Sequence, residues 1–334
     1  MRILSLPGRG DGNPYIDLFY DALAPYGIEL VGQLRFDREW LAQHLEQFDA
    51  IHLHWPENIW RNYTSPKLKK LAESDIRGTW RLSKTIENTF TTRFKKESLA
   101  WFQSILLFLK KQQKTIIWTW HNLEPHESAD DFDRQGQQIL ASCADLIVFH
   151  APFAERLCRE HYAIDTETVI MPHGSYAGVY PAPRDRQTIL AELDLGADVP
   201  IVGLLGGLRH YKGVDIAIDA CAHMGDKIQF LCAGKPHPRF DWQGLVQQAS
   251  SLKQCRLVAR YITDQEFADY ASVSDVLLLP YRRVTTSGAM LAALTLGKGV
   301  VASDLPFFRE LLSHAPQAGQ TFTPGDSLAL AQAI

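Results

Sequence analysis

The chain has 334 residues, more than one hydrophobic core usually holds, and this length indicates two domains. Hydrophobic residues make up 46% of the chain and charged residues 22%, with a formal net charge of −4. A nucleic-acid-binding domain usually has a basic excess, so this balance argues against nucleic acid as a partner. The five cysteines form neither a C-x-x-C pair nor a zinc-binding spacing with histidine, which is typical of a protein from a reducing compartment.

The N-terminal segment argues against a secretory signal. The short apolar run 2–6 leads straight into a glycine-rich turn, and no small-residue cleavage site follows a longer apolar stretch. The longest apolar run elsewhere, 99–109, is about half the length that crosses a bilayer. We therefore expect a cytoplasmic protein without a transmembrane helix.

Short apolar runs alternate with helical patterns along the whole chain. The first half predicts strands at 2–6, 28–33, 50–54, 115–120, 146–149 and 168–171. The second half predicts strands at 201–205, 228–233, 256–259, 276–280 and 299–302. Strands that are apolar throughout and separated by helices form parallel sheets covered on both faces. A proline-rich polar stretch, 180–186, interrupts this rhythm, which predicts two α/β domains, 1–179 and 187–334, with a cleft between them.

Titratable residues follow several strands of the first domain. Asp11 lies between two glycines after the first strand, and His52 and His54 alternate with apolar residues on the third. The loop after the fourth strand is the densest, with His121, Glu124, His126 and Glu127. Because imidazole and carboxylate groups can take a proton from a hydroxyl group, this loop is a candidate source of a general base. The alternative for each residue is a hydrogen-bonded structural role.

The stretch 61–114 has thirteen Lys and Arg against four Asp and Glu, a charge of +9, whereas the rest of the chain carries −13. Aromatic residues are interleaved with these charges: Trp80, Phe90, Phe94, Trp101, Phe102 and Phe108. One interpretation is a pair of solvated helices whose aromatic side chains face the core. A second is a surface that lies on anionic lipid, where each basic residue contributes about 1 kcal/mol. A third is a nucleic-acid-binding surface, which no groove-reading or base-stacking motif supports.

A D-x-D pattern, Asp131 and Asp133, follows the candidate loop. Such a pair can hold a divalent metal together with a sugar diphosphate. Here it falls in a polar helical stretch of the first domain, so we interpret it as a solvated helix start and predict no metal site.

The second domain carries two segments suited to a diphosphate. After the strand 201–205 come Gly206 and Gly207, which allow close approach of the backbone, and then Arg209 and Lys212. Ligands of open parallel sheets bind at this carboxyl edge of the strands. The alternative is a tight turn whose cations are merely solvated.

The second segment begins a helix after the strand 276–280. Ser287 is a good N-cap before the run AMLAALTL, and Gly288 leaves the first N–H groups of the helix unobstructed. Such a helix end attracts anions, and the hydroxyl groups of Thr285 and Thr286 could add donors. Combined with the two cations of the first segment, it predicts a diphosphate cradle.

These segments resemble those of GT-B glycosyltransferases, in particular the xanthan-type β-mannosyltransferases of exopolysaccharide assembly. The resemblance rests on HYKGVD at 210–215, LPY at 279–281 with TSGAMLAALTLGKGVVASD at 286–304, and first-domain matches at 13–23, 51–57, 118–127 and 171–176. It implies two facing Rossmann-like domains and transfer of mannose from GDP-mannose, or of another sugar from a UDP-sugar, to a lipid-linked or polysaccharide acceptor. No further cofactor is implied. The protein is then expected in the cytoplasm, with the inner face of the plasma membrane as its peripheral site.

The resemblance also implies roles for individual residues. The donor is expected to contact Gly206, Gly207, Arg209, Lys212, Tyr261, Ile262, Thr285, Thr286, Ser287 and Gly288. Tyr261 and Ile262 are expected beside the nucleotide base, with core packing as the alternative for these two. The acceptor side is expected to include Asn13, His54, His126 and His173. The candidates for the catalytic base are His121 and Glu127, ahead of Asp11.

Two departures from the family pattern affect the mechanism. Retaining members carry two glutamates eight residues apart, and the matching positions here are Val284 and Ala292. In addition, Gly207 replaces the usual arginine, so its role is assigned to Arg209. We therefore expect an inverting transferase; the alternatives are a nucleotide-sugar epimerase of the same fold and a catalytically degenerate sugar-nucleotide-binding scaffold. The chain ends at 334 within a predicted helix, which indicates either truncation or an unusual ending.

Overall fold

The computed structural model describes residues 1–10, 14–63, 91–122, 131–250 and 252–334. Two compact units, Met1–His173 and Gly174–Ile334, divide the chain. This division lies a few residues before the predicted domain end at 179. The segment after it is bonded to the second unit: the Tyr176 backbone N–H donates to Thr295 Oγ1 (3.1 Å), and Arg184 Nε donates to the buried carboxylate of Asp269 (2.6 Å).

The first unit contains a six-stranded parallel sheet in the order β2-β1-β3-β4-β5-β6. Its strands are β1 (Arg2–Leu6), β2 (Glu29–Gln33), β3 (Ala50–Leu53), β4 (Thr115–Thr119), β5 (Leu146–Phe149) and β6 (Glu167–Ile170). Its helices are α1 (Pro14–Leu23), α2 (Arg38–Gln43), α3 (Glu57–Arg61), α4 (Thr91–Lys111), α5 (Asp131–Cys143) and α6 (Pro152–His161). The central β3 is buried along its whole length, as a strand covered on both faces must be.

The second unit repeats this arrangement with the order β12-β11-β10-β7-β8-β9, again all parallel. Its strands are β7 (Ile201–Leu205), β8 (Gln229–Ala233), β9 (Cys255–Val258), β10 (Val276–Leu279), β11 (Gly299–Ser303) and β12 (Gly319–Phe322). Its helices are α7 (Arg186–Leu193), α8 (Val214–Met224), α9 (Trp242–Ala249), α10 (Asp264–Val273), α11 (Gly288–Thr295), α12 (Pro306–His314) and α13 (Ser327–Ala333). Each unit is thus Rossmann-like, which confirms the predicted fold class.

The predicted strands agree with the observed ones to within one residue at each end. β12 was not predicted, because two of its four residues, GQTF, are exposed at the sheet edge and no apolar run marks them. The expectation for the D-x-D pattern was half wrong. A helix does start at Asp131, but Asp133 is buried rather than solvated, since it accepts from Trp60 Nε1 (3.0 Å) and Arg61 Nε (2.9 Å) of α3.

The described part of the basic stretch packs on its own domain. Phe102 of α4 is fully buried and contacts the rings of Trp60 and Phe36. Lys110 pairs with Asp145 (2.9 Å), and Lys114 donates to the Phe48 carbonyl (2.8 Å). Residues 64–90 lie outside the described part. Within the described ranges, no helix is both long and apolar enough to cross a membrane.

Candidate active site

The loop after β7 brings a glycine and a lysine together. Gly206 has φ +99°, in the left-handed region that favours glycine, and a Cβ there would lie 3.5 Å from Lys212 Nζ. Gly207 has open space around it. Lys212 ends a short 3₁₀ turn, His210–Lys212, and is only 9% exposed. The predicted glycine–cation loop therefore forms one compact structure.

Lys212 is a buried cation. Burial, with the neighbouring charge of Arg209 adding to it, lowers the pKa of its ammonium group to about 8. Its Nζ lies over the Tyr281 ring, 5.6 Å from the ring centre, and no carboxylate of the described residues forms an ion pair with it. Because burying an unpaired charge is unfavourable, this position is one that an anionic ligand would stabilise.

The helix start at α11 has the predicted cap. Ser287 is extended, is 4% exposed, and accepts from the Met290 backbone N–H through its Oγ (3.2 Å). Thr285 is buried and Thr286 half-buried. A Cβ at Gly288 would lie 2.7 Å from the Tyr176 hydroxyl, so this position has room for glycine alone without movement of the tyrosine.

Tyr281 joins the loop and the helix start. Its ring lies under Lys212, and its hydroxyl is hydrogen-bonded to Ser287. The two backbone segments also touch directly: a Cβ at Gly213, whose φ is +67°, would lie 2.0 Å from the Pro280 carbonyl oxygen. Tyr281 was not among the predicted site residues; its position two residues after β10, within the LPY motif, was the available signal.

Arg282 holds the same two segments together. Its guanidinium donates to the His210 carbonyl (2.9 Å) and to Asp215 Oδ1 (3.0 Å), and its backbone N–H donates to the Tyr211 carbonyl (2.7 Å). This bidentate carboxylate pairing fixes the loop against α8.

The loop after β9 places its two predicted residues differently. Tyr261 is 66% exposed, so its ring is accessible for stacking, whereas Ile262 is 8% exposed and belongs to the core of the second unit. Of the positions that carry glutamate in retaining relatives, Val284 is half-buried and Ala292 is buried within α11.

Histidines line the carboxyl edge of the first sheet. His54, His121, His150 and His173 follow four neighbouring strands, β3, β4, β5 and β6. Their rings surround Tyr15 of α1, with centroid distances of 4.8–5.5 Å from its ring. The structure thus brings together three residues predicted from the sequence and adds His150. Asp11, Asn13, His126 and Glu127 lie outside the described residues.

Two of the buried histidines are held neutral in the core. His52 bonds to the Tyr20 hydroxyl through Nδ1 and to Thr119 Oγ1 through Nε2, both at 2.7 Å, and burial lowers its pKa to about 3. His150 donates from Nδ1 to the Met171 carbonyl (2.8 Å), so its Nε2 accepts from the Tyr15 hydroxyl (3.0 Å). Burial lowers its pKa to about 4. His52 therefore has the structural role.

His54 and His121 form a bonded pair. His54 Nδ1 lies 3.2 Å from His121 Nε2, and the His121 ring stacks on Trp55 at 4.5 Å with an interplanar angle of 15°. Burial, with smaller contributions from His52, His121 and His150, lowers the pKa of His54 well below 6.5. A pocket opens beside the pair. Among the described residues, no group of His, Cys, Asp or Glu side chains is arranged to hold a metal ion.

Residues 199–334, most of the second domain, match the model of the family described as glycosyl transferases group 1. Over 87% of its length the chain is 28% identical to a GDP-mannose:glycolipid 4-beta-D-mannosyltransferase of Xanthomonas campestris pv. campestris, covering 69% of that protein. The chain is a glycosyltransferase.

Solved structures confirm the fold of this glycosyltransferase. HepE of Anabaena, in complex with UDP and glucose, superposes with a TM-score of 0.68 at 16% identity. Sucrose-phosphate synthase of Thermosynechococcus elongatus gives 0.69 at 18% identity. Each comparison covers 99% of this chain and 88% of the other. The fold is therefore GT-B.

Proposed function

We propose that this glycosyltransferase moves mannose from GDP-mannose to a lipid-linked or polysaccharide acceptor, with inversion at the anomeric carbon. The observation that carries the donor side is Lys212, a buried ammonium group with no carboxylate partner among the described residues, beside the start of α11. The Xanthomonas relative, named for GDP-mannose and a glycolipid, supports the choice of donor and acceptor class.

The donor's diphosphate would supply the negative charge that faces Lys212. Its negative charge pairs with Lys212 and Arg209, and the first N–H groups of α11 donate to it. Ser287 Oγ already accepts from the Met290 N–H, so its own O–H remains a possible donor. As the glycosidic bond breaks, charge builds on the departing diphosphate, and preorganised donors of this kind stabilise it. We propose that these cations make a metal ion unnecessary.

The base would come from the first domain. Of the candidate bases, His121 is the one that lies within the described residues. Its ring orientation is held by the stack on Trp55 and by the bond to His54. In this scheme His121 takes the proton of the acceptor hydroxyl as that oxygen attacks the anomeric carbon from the face opposite the diphosphate. Glu127 and Asp11 remain the alternative bases. The absence of glutamate at 284 and 292 supports direct displacement over the retaining route.

Calorimetric titration with GDP-mannose, UDP-glucose and UDP-galactose tests the donor, with GDP-mannose expected to bind most tightly. The stereochemistry is tested by transfer to a polyprenyl-diphosphate-linked saccharide. The one-bond C1–H1 coupling constant at the anomeric carbon of the product is then measured by NMR. We expect the β product from the α donor. An α product would refute inversion, and tighter binding of either UDP-sugar would refute the donor.

The base is tested by His121→Ala, which should lower turnover about 10²- to 10⁴-fold while donor affinity is kept. His161→Ala is the matched control, because His161 is an exposed histidine of α6 in the same domain. Normal turnover in both His121→Ala and Glu127→Gln would refute a base in this loop.

We further propose that the stretch 61–114 holds the enzyme on the inner face of the plasma membrane. The protein should sediment with vesicles containing anionic lipid and be released as salt rises, because the screening length falls to about 3 Å at 1 M. Equal sedimentation with neutral vesicles, or none with either kind, would contradict an electrostatic attachment.

A further inference from the structure

The pocket beside the histidine pair has an unusual lining. It opens at the carboxyl ends of β3 and β4, next to α3 and α5, and encloses about 220 Å³ including its mouth. In the part of the chain that the structure describes, five buried side-chain atoms lack a hydrogen-bond partner, and three of them belong to residues of this pocket. They are His54 Nε2, Trp120 Nε1 and Gln137 Oε1.

Such unpaired atoms are rare in proteins because burying them is unfavourable. His54, Trp120 and Gln137 are each 0–3% exposed. His54 follows β3, Trp120 follows β4 and Gln137 lies in α5. All three residues line one opening, which is the pattern of a preorganised site whose polar partner arrives with a ligand.

The chemistry of the lining selects the ligand. The Trp120 N–H can only donate and the Gln137 carbonyl oxygen can only accept, so the group they share must do both. His54 is neutral because burial depresses its pKa, and burial raises the pKa of Glu57, also in the lining. Among the described residues of the lining there is no lysine or arginine. These features favour a neutral hydroxyl group over a phosphate or carboxylate.

The size of the pocket and its apolar surface further restrict the class of ligand. The 220 Å³ counts open solvent at the mouth, and the enclosed space is only about 10 Å³, close to the room that one water molecule or one hydroxyl group needs. The pocket therefore suits an arm of a ligand rather than a whole ring. Trp55 is half-buried and supplies indole surface at the opening, whereas Trp118 is buried. Aromatic side chains bury large apolar surfaces, so Trp55 can cover the apolar C–H groups of a sugar. We propose that the pocket is an acceptor subsite, in which His54, Trp120 and Gln137 bind the hydroxymethyl arm of a neutral hexopyranose. This inference rests on the proposed transfer to a saccharide acceptor.

The ¹⁵N-labelled indole N–H of Trp120, assigned with a Trp120→Phe variant, reports directly on the pocket. Methyl β-D-glucopyranoside should move this signal in a saturable way. Methyl β-D-xylopyranoside, which lacks the hydroxymethyl arm, and the methyl glucuronide, which carries a carboxylate instead, should move it at least threefold less at equal concentration. If none of the three sugars moves the signal, the pocket holds only water and the assignment is overturned. A larger shift with the xyloside or the glucuronide than with the glucoside would also overturn it.

Gln137→Leu separates binding from folding. Removing the unpaired carbonyl should leave the Tm of the free protein unchanged or higher, while saccharide affinity falls about three- to tenfold, as for the loss of one hydrogen bond. Gln135→Leu makes the same change at an exposed position of α5 and should alter neither quantity. A lower Tm with unchanged affinity for Gln137→Leu would show a merely structural role.

The two proposals fail in different ways. If the glucoside moves the Trp120 signal but no sugar is transferred to a saccharide acceptor, the subsite stands and the proposed function falls. If transfer occurs and the acceptor KM of Gln137→Leu equals that of the parent, the subsite falls and the proposed function stands.

Discussion

Replacing Lys212 by methionine tests the donor site most directly. Methionine keeps an unbranched side chain of similar length and removes the charge. At 1.36 kcal/mol per pH unit, the lowering of the Lys212 pKa from 10.5 to about 8 corresponds to about 3 kcal/mol by which burial of the charged form destabilises the folded protein at pH 7. We therefore expect Lys212→Met to raise the free energy of unfolding at pH 7, by up to about 3 kcal/mol.

The pH dependence follows from the direction of that pKa change. The folded-state pKa is depressed, so the unfolded chain binds the proton more tightly, and the cost is full below about pH 8. It disappears as the pH rises toward 10.5, because the lysine is then neutral in both states. Urea unfolding of parent and variant at pH 7 and pH 10 should accordingly show a stability difference that shrinks at the higher pH.

Ligand binding should change in the opposite sense. A hydrogen bond to a charged group contributes about 1.5–3 kcal/mol, so calorimetry should show GDP binding about 10- to 150-fold weaker in Lys212→Met. Lys227→Met is the matched control, since this exposed lysine precedes β8 at the opposite edge of the same sheet. A variant that is less stable than the parent and binds GDP equally well would refute the reasoning.

Three further predictions concern packing, pH and metal. Gly288→Ala should weaken GDP binding and lower the free energy of unfolding by about 1–3 kcal/mol, because the new Cβ would meet the Tyr176 hydroxyl. Adding Tyr176→Phe should restore much of the binding and of the stability. Failure of this rescue would contradict the contact. The free energy of unfolding should fall as the pH drops from 6.5 toward 4, because buried His52 and His150 stay neutral while the unfolded chain takes up protons. In urea unfolding His150→Gln should show a shallower dependence, and an equal slope would contradict it. Transfer should persist in excess EDTA, whereas loss of activity that Mn²⁺ or Mg²⁺ restores would refute metal independence.

The sequence determined the fold because the signal for each central strand is local. A strand covered on both faces must be apolar along its length, and such runs marked every strand except β12. Edge strands follow this rule less strictly, since one side of the sheet ends there: β2, β6 and β9 still contain short apolar runs, whereas β12 contains none. The cap at Ser287 was also readable, because an N-cap is chemistry between a side chain and an N–H three residues away.

Tertiary structure decided what no window of sequence contains. The histidine row draws on residues 54, 121, 150 and 173, which meet only because parallel strands end at one edge. The burial of Asp133 depends on Arg61 and Trp60, about seventy positions earlier. The position of Tyr281 between Lys212 and Ser287 likewise needs two strands to be neighbours. The local sequence pattern indicates which residues must be buried. Which side chains each of them contacts is set by packing between distant segments, and the chemistry of this site depends on those contacts.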